Sequence, residues 1–412
     1  MPNEIAFELA ASTIRFGAGA TREVGADLEA LAIKHALVFT DPNLRNLPPV
    51  ATTLESLEAN GIPFTLYDRV RCEPTDESMQ AAIAFASAGD YDAFVAVGGG
   101  STIDTAKVAS LYTSHPADFL DYVNHPIGKG RPVPGPLKPL IAIPTTGGTG
   151  SETTGTAIFD YKPLHCKTGI AHRRLKPTLG IVDPDNTRTQ PPLIAASAGI
   201  DVLCHAAESF TAIPYNQRER PDRPSLRPAY QGSNPISDLW CLEAIRLTSL
   251  YLRRATADPS DDEARSAMLL ASTYAGIGFG NAGCHLPHAM SYPVSGLAHS
   301  PIPHGISVIV NAPASFRFTA PACPERHLRI AEILSADIPR AHLADAGSIL
   351  ADRILDLMQA LNLPLSLAAF GYTAADIPAL VAGTLAQQRL TRLSPLFATP
   401  NDLANLFAIS LT

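Results

Sequence analysis

The chain has 412 residues, enough for two or three domains, and its 46% apolar and 17% charged composition can bury a sizeable core. A net charge of −8 argues against nucleic-acid binding. No apolar run approaches the roughly 18 residues of a membrane span, so no transmembrane helix and no membrane partner are expected.

The first half alternates short apolar runs with helical spacing. Ala36–Thr40, Phe64–Tyr67, Ala93–Val97 and Leu140–Ile143 read as strands, and Val50–Asn60 and Glu77–Ser87 as helices. This alternation predicts a parallel sheet covered on both faces, with ligands beyond the carboxyl ends of the strands. Asp41, the Gly98 turn and Thr145-Thr146 all follow predicted strands. Past Pro191-Pro192 the strand signals fade. Helical spacing runs through Ile200–Phe210, Asp238–Ala255, Asp262–Gly276, Pro324–Leu334, Asp345–Leu361 and Ala375–Ala382. The expected division is therefore an α/β domain over 1–190 and an all-α domain over 191–412.

Two constellations carry chemistry. In Val95–Lys107 an apolar run stops at Gly98, Gly99 and Gly100, and Ser101, Thr102 and a helical pattern follow. Glycines let backbone approach a ligand, and the first N–H groups of a helix favour an anion such as a pyrophosphate. A ligand-free strand-to-helix connection is the plainer alternative. Asp41 reads either as an acceptor for a ribose, favouring NAD(H), or as a helix N-cap. In the second half, Asp201 and His205 stand four apart on one helical face. That spacing suits chelation and suits a plain Asp–His pair equally. Four of the 12 histidines, His285, His288, His299 and His304, then cluster in a short glycine-rich span. Three imidazoles and a carboxylate would suit Fe²⁺ or Zn²⁺ and leave room for a substrate oxygen. His285 and His299 are the members expected to be ordinary hydrogen-bonded residues.

Taken together and in this order, Gly98–Lys107, Pro144–Glu152, Gly199–Ala206, His288-Ala289-Met290 and Pro303-His304-Gly305 resemble the iron-containing (group III) alcohol dehydrogenase family. Ala6-Phe7-Glu8, Val70–Asp76, Arg227–Asp238 and Gly371–Leu380 resemble its hydroxyacid–oxoacid transhydrogenase branch. The resemblance implies a Rossmann-like α/β domain plus a helical metal domain, the architecture shared with dehydroquinate synthase, and an active site in the cleft between them. It implies NAD(H) and one divalent metal, Fe²⁺ preferred and Zn²⁺ possible, with Asp201, His205, His288 and His304 as ligands. Asp41, Gly98, Gly99, Gly100, Ser101, Thr145, Thr146 and Lys167 match positions lining the dinucleotide site, and Thr149 and Ser151 lie near the same loop.

Two departures mark the chain. Many alcohol dehydrogenases of the family carry a histidine four residues after the third ligand. Tyr292 stands there, and a phenol is a poorer proton carrier near neutrality than an imidazole. Glu73-Pro74 replaces an Asn-Pro pair. The implied reaction passes hydride, through the nicotinamide, from a hydroxyacid such as 4-hydroxybutyrate to an oxoacid such as 2-oxoglutarate. Arg227 is the candidate partner for a substrate carboxylate, with Arg218, Arg220 and Arg223 nearby. An ordinary NAD-dependent alcohol dehydrogenase or aldehyde reductase is the near rival. A lyase of the dehydroquinate synthase type and a non-catalytic nucleotide sensor are distant ones. The six cysteines form no Cys-x-x-Cys pair, which excludes a zinc ribbon and predicts reduced thiols. With no signal-like or transit-like pattern in the first residues, a cytoplasmic homodimer is the expectation.

Overall fold

Four apolar runs become four neighbouring strands of a parallel sheet. The computed structural model describes residues 2–164, 166–298, 302–335 and 341–412. It divides into two units, Ala10–Pro191 and Pro192–Thr412 with Met1–Leu9.

The first unit holds strands β1 (Thr13–Phe16), β2 (Ala36–Phe39), β3 (Phe64–Tyr67), β4 (Ala93–Gly98), β5 (Leu140–Pro144), β6 (Thr156–Tyr161), β7 (Cys166–Ala171) and β8 (Leu179–Val182). Six form one parallel sheet in the order β1-β8-β5-β4-β2-β3. Helices α1 (Val24–Ala30), α2 (Pro48–Ala59), α3 (Asp76–Ser87), α4 (Gly100–Ser114) and α5 (Phe119–Tyr122) accompany it. Alternate residues of β4 serve opposite cores. Ala93, Val95 and Val97 pack with Val24, Leu28, Val50 and Leu57, whereas Phe94 and Ala96 pack with Ile103, Ala106 and Ala109. A strand buried on both faces reads as an unbroken apolar run, which is why β2, β4 and β5 stand out, whereas the half-buried edge strand β3 shows itself by its aromatic and β-branched residues. The edge strand β1, the strand β8 and the antiparallel β6–β7 hairpin were not expected; β1, β6 and β7 mix in polar residues, and Gly180 interrupts the apolar run of β8. The direction of crossover reverses between β2 and β4, so their carboxyl ends flank the crevice where open α/β sheets bind ligands.

The second unit is helical: α6 (Pro192–Thr211), α7 (Pro235–Ala257), α8 (Asp262–Ala282), α9 (Leu286–Leu297), α10 (His304–Ile309), α11 (Ala312–Thr319), α12 (Pro324–Ile333), α13 (Ala346–Ala360), α14 (Ile377–Leu385), α15 (Gln388–Thr391) and α16 (Pro400–Ser410). One apolar cluster runs through it, from Ile200 and Leu203 on α6 to Leu403 and Phe407 on α16. Asn234 caps α7 through the Ser237 N–H at 2.9 Å, with Pro235 in the first turn, which starts the helix three residues before the expected Asp238. Among the described residues one helix, α6, is long and apolar enough to cross a bilayer by length and composition, and 78% of its apolar window is buried inside the structure.

The sequence assigned the first nine residues to the α/β domain, but Met1–Leu9 belong to the helical unit. Glu4 N–H donates to the Arg218 carbonyl at 2.8 Å, and Glu8 N–H to Gln231 Oε1 at 2.9 Å. Partners more than 200 positions away leave no local signal. All six cysteines are free.

Candidate metal centre and nucleotide turn

Asp201, His205 and Glu208 follow one another at helical spacing along α6, so all three project from one face. His288 lies in the first turn of α9 and His304 opens α10. Gly305 is what lets α10 approach. A Cβ there would lie 1.9 Å from the Ser197 carbonyl oxygen and 3.0 Å from Asp201 Cβ. The ligating atoms of Asp201, His288 and His304 consequently lie within 4.8 Å of one another, as do those of His205, Cys284 and His288. The structure thus brings the four expected ligands together, with Cys284 bordering them. His299 lies outside the described residues.

The centre holds polar atoms that have no protein partner. Asp201 Oδ1, His205 Nδ1 and His288 Nε2 are buried and accept or donate no hydrogen bond. His205 Nδ1 stands 3.6 Å from Asp201 Oδ2, and His288 Nε2 3.4 Å from Asp201 Oδ1. Buried polar atoms are paired as a rule, so three unpaired ones gathered around Asp201 fit the demands of an ion site. A carboxylate with imidazoles is a donor set for Fe²⁺ or Zn²⁺.

Glu208, fully buried, completes the arrangement. Its Oε1 is 2.5 Å from His288 Nδ1, and its Oε2 accepts the N–H groups of His285 and His288 at 2.7 and 3.3 Å. Nδ1 therefore carries the proton, which would leave the Nε2 lone pair available to a bound cation. Burial opposes a charge on Asp201, but His205, His304 and His288 outweigh it and hold the carboxyl below its ordinary range. Burial pushes His205 down to about 3 against the pull of Asp201. Burial also opposes a proton on His288, yet Glu208 outweighs it and raises this imidazole well above its ordinary value. His285 is the buried structural histidine anticipated for it, with Nε2 2.9 Å from Thr211 Oγ1.

The first unit presents backbone instead. β4 ends at Gly98 and α4 starts at Gly100, with Gly99 as an N-cap that offers no side-chain acceptor. Thr145 N–H donates to the Gly98 carbonyl at 3.1 Å. A Cβ on Gly99 would lie 3.3 Å from Thr146 Oγ1, and one on Gly100 2.7 Å from Thr149 Cγ2. The Thr145–Thr149 loop thus closes against a turn that only small residues fit, and the bare first turn of α4 suits a phosphate. Asp41 follows β2, and its Oδ1 accepts the N–H groups of Asn43 and Leu44 at 2.8 and 3.2 Å. The expected helix N-cap is not what forms: 42–46 are a turn and α2 starts only at Pro48, so Asp41 holds a turn through one carboxylate oxygen.

Three expected site residues are engaged elsewhere. Ser151 Oγ donates to Asp104 Oδ1 at 2.7 Å and accepts from Lys107 at 3.4 Å, so its hydroxyl belongs to a buried network rather than to the turn. Lys167 pairs with Glu73, which also donates its N–H to Ser101 Oγ at 3.2 Å, and with Asp160 at 3.3 Å. The carboxylate of the unusual Glu73-Pro74 pair thus meets the lysine expected at the nucleotide. Arg227 is the clearest correction. Its guanidinium grips Glu4 at 2.9 and 3.1 Å and reaches Glu8 at 3.4 Å, so the N-terminal strap supplies the carboxylates assigned to a substrate. Tyr292, one turn beyond His288 on α9, is buried, and its Oη accepts from Arg389 Nη2 at 3.2 Å.

Glu208, Cys284 and Arg389 were not foreseen. The spacing of Asp201, His205 and Glu208 carries a signal for the first. Nothing local marks Arg389 on the four-residue α15.

Comparison with known proteins covers both units. The family described as iron-containing alcohol dehydrogenase matches residues 11–184, and its C-terminal counterpart, the Fe-containing alcohol dehydrogenase family, matches 229–411. The mitochondrial hydroxyacid-oxoacid transhydrogenase of Bos taurus is 56% identical over 99% of this chain and 90% of its own length. A crystal structure of 1,3-propanediol oxidoreductase superposes with a TM-score of 0.88 at 28% identity, covering 99% of this chain and 100% of that one. Sulfoacetaldehyde reductase from Bifidobacterium kashiwanohense, in complex with NAD⁺, matches with a TM-score of 0.82 at 26% identity over 99% and 100% of the two chains. The expected cytoplasmic location is overturned, because the transhydrogenases that match are named as mitochondrial. Reduced thiols fit any reducing compartment, so they do not discriminate between the two locations.

Proposed function

We propose that this chain, which belongs to the iron-containing alcohol dehydrogenase family, is a hydroxyacid–oxoacid transhydrogenase that moves hydride between small acids through NAD(H). The observation that carries the chemistry is the convergence of Asp201 Oδ1, His205 Nδ1 and His288 Nε2 without protein partners. The 56% identity over 99% of the chain supports the transhydrogenase assignment within the family.

Asp201, His205, His288 and His304 would hold one divalent cation, ferrous iron by preference and zinc as a chemically acceptable substitute. Bound there, it supplies Lewis acidity toward the oxygen of an alcohol or carbonyl, while the nicotinamide supplies or takes the hydride. Glu208 fixes the tautomer of His288 and keeps its ring in register. Tyr292, one turn along α9, offers the O–H through which the alcohol proton leaves and returns. The Gly98–Gly100 turn and the first N–H groups of α4 would take the pyrophosphate. Ser101, Thr145, Thr146 and Thr149 would line it, and Asp41 would face the ribose with its second oxygen. Lys167, neutralised by Glu73, would stand at the rim of that site. A homodimer without nucleic-acid or membrane partners is the assembly we assign, which sedimentation velocity would check.

The test supplies iron-loaded protein with 4-hydroxybutyrate, 2-oxoglutarate and a substoichiometric amount of NAD⁺. Many equivalents of 2-hydroxyglutarate and succinate semialdehyde should form per nucleotide, with no net NADH. Stoichiometric NADH from ordinary alcohols, with no product from the acid pair, would instead identify a dehydrogenase that releases its cofactor each turnover.

A further inference from the structure

Most arginines of the helical unit that reach acidic groups pair with them. Arg227 binds Glu4, Arg254 binds Asp261 and Glu263, and Arg326 binds Asp238. Arg389 does not. Its Nη2 donates to the Tyr292 hydroxyl at 3.2 Å and its Cζ lies 4.8 Å from the centroid of the Tyr230 ring. Its Nη1 is buried with no hydrogen-bond partner, and among the described residues no carboxylate forms an ion pair with it. A guanidinium carries five donors in a planar fork, and burying it without an anion is costly. A site that keeps such a group is built for an anion that arrives from outside.

The surroundings say which anion. Tyr292 stands four residues after His288 on α9, about 6 Å along the axis. On the other side, Tyr230 meets Phe279 edge-on at 6.5 Å, and Phe279 stacks on His205 at 4.0 Å. One turn of α9 leads from His288 to Tyr292, whose hydroxyl meets Arg389, and the ring contacts His205–Phe279–Tyr230–Arg389 tie the guanidinium to the metal centre. All of these residues lie within the one helical unit.

We propose that Arg389, held by Tyr292 and Tyr230, binds the carboxylate that both substrates carry two methylenes from the reacting carbon. This rests on the substrate reading given above. In 4-hydroxybutyrate the carbinol carbon is followed by two CH₂ groups and a carboxylate. In 2-oxoglutarate the keto carbon is followed by two CH₂ groups and the distal carboxylate. One cation at a fixed distance from the centre therefore serves both halves of the reaction, which explains how a single site accepts a primary hydroxyacid and a 2-oxoacid in turn. Forked contacts to a carboxylate also give geometric selectivity that a lysine cannot supply.

The experiment compares each acid with an analogue of equal length that lacks the carboxylate two methylenes from the reacting carbon: 2-oxoglutarate with 2-oxovalerate, and 4-hydroxybutyrate with n-butanol. The readout is the ratio of the two kcat/KM values within one preparation, so loss of folded enzyme cancels. Arg389→Leu should lower both ratios by about 100-fold, the effect of removing one partner of a buried charge pair. Arg389→Lys, which covers the case in which the leucine variant does not fold, should lower them by about tenfold because the ammonium lacks the fork. Ratios unmoved in both variants, with wild-type enzyme using 2-oxoglutarate, would overturn the proposal and leave the substrate reading standing. Wild-type enzyme that oxidises n-butanol and uses neither acid would overturn the substrate reading and the proposal with it.

Discussion

One buried charged cluster from each unit makes an instructive pair, because the two are opposites. In the α/β unit, Lys107 is fully buried and donates to Asp104 at 3.3 Å, Ser151 at 3.4 Å, Thr154 at 3.2 Å and the Thr156 carbonyl at 2.8 Å. Asp104 in turn accepts from Ser151 and from the Ile158 N–H at 3.0 Å. Burial pulls the Lys107 ammonium below its ordinary range, and Asp104 pulls it back. Nothing in that cluster points at an absent partner. In the helical unit, Asp201, His205 and His288 are equally buried, yet each keeps one atom unmatched. The lesson is that burial of charge does not identify a functional site, because a closed network and an open one bury charge alike. What sets the open cluster apart is that unmatched atoms of ligand type gather there within reach of one another.

That contrast can be broken by mutation. Asp201→Ala and His288→Ala should abolish stoichiometric metal by elemental analysis and lower turnover by well over the about 100-fold typical of an outer partner, and chelation of wild-type enzyme should do the same. Lys107→Met should instead leave metal content intact and lower stability by about 3–5 kcal/mol in thermal or urea unfolding, because it strands Asp104. Metal loss in Lys107→Met, or full metal retention in Asp201→Ala, would erase the distinction. Glu208→Gln sharpens the comparison from within the open site. Cation affinity should fall about 10- to 100-fold in a competitive chelator titration, with the fold unchanged by circular dichroism. Gly100→Ala tests the backbone site, since its Cβ would meet Thr149 at 2.7 Å. NAD⁺ affinity should weaken about tenfold by fluorescence titration, without loss of metal.

The smallest expected effect concerns the N-terminal strap. Arg227, with the N–H groups of Ile5 and Ala6, holds the Glu4 carboxyl at about 2 against an ordinary 4.5, despite burial. A folded value below the unfolded one means stability that is complete above about 4.5 and lost as pH falls toward 2. Limited proteolysis should release the first residues progressively through that window. Arg227→Ala should release them already near neutrality. A strap equally resistant in both would show that Arg227 does not hold it.

Sequence alone determined much of this protein. Runs such as Ala93–Val97 announce strands buried on both faces, the three glycines after them announce a turn and a helix start, and the four-residue spacing of Asp201 and His205 puts two ligands on one face. These features are local, so periodicity and residue chemistry suffice. The fate of the arginines was decided elsewhere. Arg227 looked available because Glu4 lies 223 positions away, and Arg389 looked ordinary because Tyr292 lies 97 positions before it. Whether a buried charge is matched depends on which distant segment packs against it, and chain order does not encode that. Only the folded arrangement shows that Arg227 already has its carboxylates and that Arg389, among the described residues, is still without one.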